Sequence, residues 1–501
     1  MKTRLLTTLA ALLLALTSWA KGVEIDGIYY DLDSSTKTAS VTYTGSTWQD
    51  TTAYTGSITI PASVTYDGTT YTVASIGINA FRGCTGLASI SIPASVTTIG
   101  DWAFSDCTGL TSLTIPASVT NIGRGAFSDC SGLASIKVEA GNTAYDSREN
   151  CNAIIETASN TLIAGCMNTT IPNCVTSIGA SAFRGCTGLK SLNLPASVTA
   201  IGDYAFLGCT GLASIKVEAG NTAYDSRENC NAIIETASNT LVAGCMNTTV
   251  PNSVTAIGDY AFLGCTGLTS FTIPASVTAI GDYAFSDCLG LASIKVEAGN
   301  TAYDSRENCN AIIETASNTL VAGCMNTTIP NSVTAIGDGA FLGCTGLASI
   351  SIPASVTTIG NRAFYGCTSL ASINIPSSVT TIGYKAFLDC TGLKSISIPA
   401  SVTAIGDWAF YGCTGLTNIY AEHTDPEAYH SSDYAFSDVP FSTCTLHVPI
   451  GSKEAYANTE PWSKFKNIVE AAAQTARHTV QSRTHKQKGA RKVGSNTKKS
   501  K

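Results

Sequence analysis

Cysteine, histidine and acidic residues could give this chain chemistry, but their spacing argues against an active site. The sequence contains 19 cysteines without the C-x-x-C spacing of a structural metal site. All five histidines lie after residue 420, at His423, His430, His447, His478 and His485. The long stretch before them therefore lacks the base that Cys-His or Ser-His catalysis needs. We predict a non-enzymatic protein without a metal or other cofactor.

Two acidic patterns could still suggest cation binding. The stretch "YAEHTDPEAYHSSDYAF" brings Glu422, His423, Asp425, Glu427 and His430 close together in sequence. We interpret it as a polar loop in a degenerate last repeat. The second pattern is a recurring Gly-Asp, which could suggest calcium, at Asp101, Asp203, Asp259, Asp282, Asp338 and Asp407. Ile78, Arg124, Ala180, Asn361 and Tyr384 stand at equivalent positions. We therefore predict that these acids cap turns.

The elements that position these residues come from a repeat marked by an Ala-Phe pair. The phenylalanines are Phe81, Phe104, Phe127, Phe183, Phe206, Phe262, Phe285, Phe341, Phe364, Phe387 and Phe410. They show two intervals: the shorter one separates Phe81, Phe104 and Phe127, and the longer one separates Phe127 from Phe183. A period of about 20 to 29 residues with regularly spaced Leu and Ile, as in the shorter interval, is typical of a leucine-rich-repeat-like solenoid.

The unit from Thr108 to Cys130 illustrates one predicted coil. Leu110, Leu113 and Ile115 follow the L-x-x-L-x-L spacing of a strand, which Pro116 ends. A second extended stretch follows, and a short helical or 3₁₀ turn at the Ala-Phe pair closes the coil. One coil cannot bury enough apolar surface to offset its own ordering, so stability must come from stacking on its neighbours.

The wording L-x-x-I-x-IP-x-SVT-x-IG-x-x-AF-x-x-C resembles the BspA-type leucine-rich repeat proteins, which are surface or secreted proteins of host-associated anaerobic bacteria and some protists. The resemblance covers about residues 57 to 470. It implies a β-rich α/β solenoid: a curved leucine-rich-repeat stack of about 23-residue coils, with short 3₁₀ or helical turns and β-caps at both ends. "VEIDGIYYDL" is similar to the N-terminal cap. In the C-terminal cap, Trp462, Phe465 and Ile468 would cover the last coil.

The chain ends predict export. Met1 to Arg4, the apolar run Leu5 to Leu16 and Ser18-Trp19-Ala20 form the zones of a signal peptide, with cleavage expected after Ala20; the alternative is a membrane anchor. The segment 471–501 is rich in Lys and Arg and has no acid. This tail is predicted to be disordered, and the sharper alternative is electrostatic attachment to an acidic polymer on the cell surface or to nucleic acid. The predicted domains are 1–20 signal peptide, 21–56 N-terminal β-cap, 57–445 solenoid with three expanded units, 446–470 C-terminal cap and 471–501 basic tail.

Three expanded units carry a nearly unchanged insertion that begins, at equal spacing, at Ser135, Ser214 and Ser293. Residues 153–155 and 161–163 flank a polar stretch, which predicts a β-hairpin or two sides of an enlarged coil. If the turn centres on residues 158 and 159, the possible disulfides are Cys151–Cys166, Cys230–Cys245 and Cys309–Cys324. Eleven other cysteines form one column of the repeat, whose spacing and parallel side chains favour buried free thiols.

Outward side chains of the first strand predict a binding surface of small polar groups and periodic lysines. The row comprises Ser91, Thr114, Lys137, Asn193, Lys216, Thr272, Lys295, Ser351, Asn374 and Ser397. The expanded units add Tyr145 with Arg148, Tyr224 with Arg227, and Tyr303 with Arg306, residue types favoured in binding hot spots. The alternative is that these tyrosines pack on a neighbouring coil while the charges solvate a loop.

The resemblance implies a secreted or cell-surface, adhesin-like protein that binds protein ligands on host or bacterial surfaces. Matrix binding and co-aggregation are activities of that family. Binding of carbohydrate or cell wall by the Ser, Thr and Asn row is the alternative, and a polysaccharide lyase is disfavoured because near-identical units do not make a unique cluster. We predict no specific nucleic-acid partner and no transmembrane segment in the mature chain.

Overall fold

The computed structural model describes residues 22–44 and 54–471. Two structural units divide the chain. Unit 1 extends to Thr269 and includes Ser276–Cys288, and unit 2 comprises Ser270–Ala275 and the chain from Leu289 onward. The predicted signal peptide and all but the first residue of the predicted basic tail lie outside the described residues, so both remain predictions.

Each unit is a β-solenoid of coils with about 23 residues, as the repeat predicts. In the coil from Thr108 to Cys130, a first strand occupies Ser112–Ile115 and a second occupies Asn121–Ile122. Pro116 ends the first strand and its carbonyl accepts the amide of Val119, which closes a turn. Leu113, Ile115 and Val119 are buried, whereas Thr114 between them is exposed. The predicted inward and outward alternation is therefore confirmed.

The Ala-Phe segment differs from the predicted helical turn. In the same coil it is a run of turns in which Gly125 and Asp129, on either side of Phe127, have positive φ of 61° and 60°. Residues in the left-handed region interrupt a right-handed helix. The sequence prediction of a helical or 3₁₀ turn is thus wrong for this segment. The residue two positions after each repeat phenylalanine, such as Asp129 after Phe127, is always Gly or Asp. Its positive φ explains this restriction.

Backbone hydrogen bonds join successive coils along this turn. The amides of Asn79, Phe81 and Gly83 donate to the carbonyls of Asp101, Ala103 and Ser105 over 3.0, 2.7 and 2.8 Å. The first and second strands of the coils pair in parallel with the strands of their neighbours. Successive regular coils are therefore bonded along the turn and the second strand, and most of them also along the first strand.

In unit 1, the strands form six sheets. The strands are β1 (Val23–Ile25), β2 (Ile28–Asp33), β3 (Thr38–Thr42), β4 (Gly56–Thr59), β5 (Ser63–Tyr66), β6 (Thr69–Ile76), β7 (Leu87–Ser91), β8 (Thr98–Ile99), β9 (Ser112–Ile115), β10 (Asn121–Ile122), β11 (Ser135–Val138), β12 (Tyr145–Asp146), β13 (Ala153–Glu156), β14 (Thr161–Gly165), β15 (Ser177–Ile178), β16 (Ser191–Leu194), β17 (Ala200–Ile201), β18 (Ser214–Val217), β19 (Tyr224–Asp225), β20 (Ile233–Glu235), β21 (Thr240–Ala243), β22 (Ala256–Ile257) and β24 (Ala279–Ile280). The sheet orders are β1-β2-β3-β6-β8-β10 with β5 on β6, β4-β7, β9-β11, β12-β13-β14-β15-β17, β16-β18 and β19-β20-β21-β22-β24. Two 3₁₀ helices occupy Arg148–Asn150 and Arg227–Asn229.

In unit 2, the strands form three sheets. The strands are β23 (Ser270–Ile273), β25 (Ser293–Val296), β26 (Tyr303–Asp304), β27 (Ala311–Glu314), β28 (Thr319–Gly323), β29 (Ala335–Ile336), β30 (Ser349–Ser351), β31 (Thr358–Ile359), β32 (Ser372–Asn374), β33 (Thr381–Ile382), β34 (Ser395–Ile398), β35 (Ala404–Ile405), β36 (Asn418–Ala421), β37 (Thr445–Val448) and β38 (Asn467–Glu470). The sheet orders are β23-β25, β26-β27-β28-β29-β31-β33-β35 and β30-β32-β34-β36-β37-β38. Helix α1 occupies Lys453–Asn458, and 3₁₀ helices occupy Arg306–Asn308, Pro426–Tyr429 and Trp462–Lys464.

Each expanded unit forms the predicted β-hairpin. In the first, β13 pairs antiparallel with β14, which then pairs in parallel with the second strand β15 of the next coil. The hairpin thus takes the place of a second strand in the stack. Gly165 ends β14, and a Cβ there would overlap the ring of Phe183. Glycine at this position therefore lets the hairpin lie against the next phenylalanine.

The core centres on stacked phenylalanine rings and on the strand residues that surround them. In unit 2, Phe341, Phe364, Phe387, Phe410 and Phe436 follow one another with ring centroids 5.1–5.3 Å apart and nearly parallel planes. Phe436 belongs to the degenerate coil before the C-terminal cap and extends the column beyond the repeats identified from sequence. Offset or parallel stacking at this distance adds to the stability that apolar burial provides.

Caps protect both ends of the stack. At the N-terminus, β1, β2 and β3 form an antiparallel meander and β3 pairs with β6. At the C-terminus, β38 pairs with β37, and Trp462, Phe465 and Ile468 are buried. The predicted β-caps are therefore present, and Trp462 covers Phe436, the last ring of the column, at a centroid distance of 4.9 Å.

We predict that Phe364→Ala lowers the free energy of unfolding of unit 2 by about 3–5 kcal/mol, since it removes a fully buried ring between two others. Urea unfolding followed by far-UV circular dichroism measures the change. Ser351→Ala is the matched control because Ser351 is exposed in the same unit, and it should shift stability by no more than about 0.5 kcal/mol. Equal midpoints for the two variants would contradict a role for the ring column.

Candidate functional site

The strand face is the outward surface of the first strands: β7, β9, β11, β16 and β18 in unit 1, and β23, β25, β30, β32, β34, β36, β37 and β38 in unit 2. Its predicted side chains point away from the core. Thr114, Lys137, Asn193 and Lys216 in unit 1 are exposed, as are Thr272, Lys295, Ser351 and Asn374 in unit 2. Ladder pairing sets them side by side, with Lys137 beside Thr114 and Lys216 beside Asn193.

A carboxylate accompanies each lysine of the strand face. Glu139, Glu218 and Glu297 follow two residues after Lys137, Lys216 and Lys295. Glu218 accepts a 2.7 Å hydrogen bond from the amide of Asn193, and Glu139 accepts the Ala117 backbone amide at 3.1 Å. The carboxylates are thus held by the neighbouring coil, and the lysines provide the exposed positive charge of this surface.

The three tyrosines of the expanded units lie against the preceding coil. Tyr145, Tyr224 and Tyr303 are 5–7% exposed. The Tyr145 hydroxyl accepts the Ile122 amide at 3.1 Å, and burial raises the pKa of this tyrosine. These contacts match the alternative in which the tyrosines pack on a neighbouring coil, and they leave little ring surface for a partner.

In each expanded unit, one arginine anchors the loop through hydrogen bonds. Arg148 forms a bidentate pair with Asp146, with Nε–Oδ1 at 2.8 Å and Nη2–Oδ2 at 2.7 Å, and its Nη1 donates to Asn160 at 2.9 Å. The hydrogen bonds to Asp146 raise the pKa of Arg148. The same contacts recur around Arg227 and Arg306. About a quarter of each arginine side chain remains exposed (26–27%), enough to reach a partner at its edge.

The predicted disulfides are absent from the described structure, in which all six cysteines are free. A register shift between Ile154 and Ile155 pairs Ala153 with Gly165, so Cys151 and Cys166 are not opposite each other. The Cys166 thiol donates instead to the Asn152 carbonyl at 3.3 Å. The pairings Cys151–Cys166, Cys230–Cys245 and Cys309–Cys324 are therefore corrected to three pairs of separate thiols.

The cysteine column bonds one coil to the previous one. Cys107 and Cys390 donate to the carbonyls of Phe81 and Phe364 over 3.0 and 3.1 Å. Burial raises the pKa of Cys390 to about 12, so the thiol keeps its proton at neutral pH. The prediction of thiols rather than disulfides in this column is confirmed, and the thiol adds a hydrogen bond that the sequence pattern does not reveal.

Both acidic patterns provide acceptors for backbone amides. Asp101 accepts the Arg124 amide at 2.8 Å and Asp338 accepts the Asn361 amide at 2.7 Å, so these acids bond the next coil and, contrary to the prediction, do not cap their own turn. In the polar loop, Asp425 caps the 3₁₀ helix Pro426–Tyr429 and donates its own amide to the His423 ring at 3.0 Å. Within residues 22–44 and 54–471, no three His, Cys, Asp or Glu side chains converge in a way that could hold a metal ion.

The coil geometry and the repeat motif of the sequence match a known family. The BspA-type leucine-rich repeat profile matches residues 57–163, 155–239, 242–320 and 321–447, in six copies. The chain belongs to the BspA-type leucine-rich repeat family. The resemblance inferred from the repeat wording is thereby confirmed. BspA-type proteins are surface-associated, and leucine-rich repeats are in general protein-binding modules.

Solved structures similar to this BspA-type chain include several bacterial leucine-rich proteins. A leucine-rich cell surface protein of Faecalibacterium prausnitzii is 27% identical, with coverage of 88% of this chain and 97% of that chain and a TM-score of 0.42. A leucine-rich repeat protein of Bacteroides ovatus is 26% identical, with coverage of 85% and 99% and a TM-score of 0.29. The pneumococcal vaccine antigen PcpA is 17% identical, with coverage of 90% and 98% and a TM-score of 0.34.

None of the curated proteins matches the chain significantly. In the part of this BspA-type protein that the structure describes, the helices lack the length and apolarity that a membrane span requires.

We predict that the denatured, unreduced protein contains 19 titratable thiols, because all its cysteines lie in the described residues and none forms a disulfide there. In the native protein at pH 8, Ellman's reagent should react slowly with the buried cysteines and fastest with Cys174 and Cys344, which are partly exposed. A thiol count lower by six in the denatured protein would instead support the three disulfide pairs.

Proposed function

We propose that this protein is an exported or cell-surface, non-enzymatic binding protein that acts like an adhesin. Its strand face contacts protein ligands on host or bacterial surfaces through many weak, repeated interactions. The candidate contacts are the exposed lysines Lys137, Lys216 and Lys295, with the partly exposed edges of Arg148, Arg227 and Arg306. Tyr145, Tyr224 and Tyr303 support the loops that carry these arginines.

The observation that carries this proposal is the fixed outward row of the strand face. In unit 2, the parallel pairs Ser351 with Asn374 and Asn374 with Ser397 continue without interruption to Tyr420 and His447. Backbone pairing already orders these side chains before a partner arrives. A partner therefore loses less conformational entropy when it binds such a surface than when it binds a mobile loop.

Repetition of the lysine motif favours multivalent binding. Lys137 and Lys216 occupy identical positions in unit 1, each on the first strand of an expanded unit, and Lys295 occupies the corresponding place in unit 2. A partner with repeated acidic groups could engage more than one copy. Linked weak contacts raise apparent affinity by factors of about 10²–10⁴ without any new type of contact.

The test replaces the three lysines together. The triple variant Lys137→Thr, Lys216→Thr and Lys295→Thr keeps strand-forming residues, since Thr114 and Thr272 occupy the same row. Binding to intact host and bacterial cells, and to a panel of matrix proteins, should weaken by about tenfold or more. A glycan array is measured in parallel.

The matched control is the triple variant Lys190→Thr, Lys394→Thr and Lys453→Thr, which removes the same charge from exposed positions outside the row. It should bind like the original protein. Equal loss in both triple variants would reduce the effect to net charge and contradict a role for the strand face. Binding confined to neutral glycans and unchanged in both variants would support the carbohydrate alternative.

A further inference from the structure

The two hairpins of unit 1 each leave a wedge in the row of Ala-Phe turns, because each separates two turns that would otherwise be adjacent. In unit 1, the turns around Phe206 and Phe262 approach at one end, where a Cβ on Gly264 would lie 3.4 Å from the Gly208 Cα. Near their other ends, the hairpin enters and the Gly244 amide donates to the Ala261 carbonyl at 2.8 Å. A cavity of about 430 Å³ fills the space between them.

Two tyrosines stand at the rim of this cavity. Tyr204 is exposed and Tyr260 half-buried, with ring centroids 5.2 Å apart and planes inclined by 60°. Both residues have positive φ, 59° and 58°, an unusual conformation for tyrosine. Burial and then a hydrogen bond with Tyr204 raise the pKa of Tyr260. Tyr260 also stacks on Tyr283, with ring centroids 5.8 Å apart, so the exposed ring of Tyr204 is the one that can meet a ligand.

The polar lining of the cavity carries negative charge. Asp203 and Asp259 lie beside the two tyrosines and are exposed, and Glu235 lines the wall from the hairpin. The lining contains no lysine, arginine or histidine among the described residues. Phe206, Val242 and Leu263 provide apolar surface inside. The lining thus joins three carboxylates to an apolar interior.

The first expanded unit contains an equivalent cavity with a different rim. It measures about 220 Å³ and keeps a tyrosine and a glutamate at Tyr145 and Glu156, which correspond to Tyr224 and Glu235. Arg124 and Gly125 replace Asp203 and Tyr204. Ala180 and Ser181 replace Asp259 and Tyr260. The same fold therefore carries both rims, and of these two cavities only the second has the two aspartates and two tyrosines at its rim.

We propose that the cavity lined by Tyr204, Tyr260, Asp203, Asp259 and Glu235 binds an organic ammonium ion. The carboxylates attract the positive nitrogen, the exposed Tyr204 ring adds cation–π attraction, and the apolar interior takes the alkyl groups. The volume suits a small organic cation. The site is separate from the strand face and does not depend on the function proposed for that surface.

The test uses ligand-observed saturation-transfer NMR on the full protein with tetramethylammonium, butylammonium and neutral butanol as probes. Both cations should bind saturably and at least tenfold more tightly than butanol, and added NaCl should weaken them. Tighter binding of tetramethylammonium would indicate a quaternary ammonium ligand. Tighter binding of butylammonium would indicate the side chain of a lysine. Failure of both cations to bind, or butanol binding as tightly as they do, would overturn the proposal.

Two variants locate the site. Tyr204→Gly with Tyr260→Ser installs the residues that the first cavity has at positions with the same positive φ, Gly125 at 61° and Ser181 at 59°, so the backbone should be retained. Asp203→Asn with Asp259→Asn removes charge while an amide oxygen remains to accept the Asp282 amide, which Asp259 holds at 2.9 Å. Each variant should weaken cation binding at least tenfold with an unchanged circular dichroism spectrum.

The matched control is Tyr66→Ser, an exposed tyrosine outside the cavity, which should leave cation binding unchanged. The triple lysine variant of the strand face should also bind the cations normally, which separates this site from the proposed adhesive surface. Cation binding that persists in both cavity variants would overturn the assignment.

Discussion

Backbone hydrogen bonding from one coil to the next is the interaction on which the rest of the structure depends. A single coil is a chain of short strands and turns, and the amides and carbonyls of its strands point along the stack, so they are satisfied by a neighbouring coil. The bonds from Phe81 to Ala103 and from Phe364 to Ala386 show the same register in the two units. That register places one phenylalanine on the next, aligns the thiols with carbonyls, and keeps the outward side chains in one row. The same requirement explains why both chain ends need caps, since the terminal coils would otherwise expose unpaired edges.

The expanded units show how the stack accepts an insertion without losing this bonding. Asn142 is central, because its side chain donates to the carbonyls of Pro116 and Val119 and accepts the amides of Ala144 and Tyr145. The two donated bonds attach the inserted loop to the previous coil, and the two accepted bonds close a turn within the loop. The aspartate–arginine pair closes its other side. The hairpin then restores parallel pairing through β14. In unit 1, the wedge between the turns on either side of each hairpin is where the fold leaves open space.

Much of the fold follows from the sequence because the deciding signals are local and repeated. Alternating Leu and Ile around Thr114, the proline that ends the strand, and the phenylalanine column define the coil, its faces and its core. The hairpin could be predicted from two β-branched runs around a polar turn. The turn at Phe127 was mispredicted as helical, although Gly or Asp two residues after each phenylalanine signals positive φ.

Contacts between coils determine the remaining features, and such contacts leave weaker traces in one sequence. The cysteine pairing failed at Cys151 because a single bulge, invisible in the residue pattern, shifts the register by one. Tyrosine is a residue type favoured in binding sites. The Tyr145 hydroxyl, however, accepts a hydrogen bond from the Ile122 amide in the preceding coil. The cavity beside Tyr204 lies between two turns, and a whole inserted hairpin separates these turns in sequence. No local motif therefore predicts the cavity.

The equal spacing of the three expanded units has a genetic consequence. Because β11 and β18 enter their hairpins in identical register, recombination between two such blocks would delete or add a whole block and still join compatible coils. The resulting genes would encode longer or shorter variants that fold and that differ in the number of stacked coils. Drift at the rim positions of each copied block would then diversify the cavities while the stack itself stays constant.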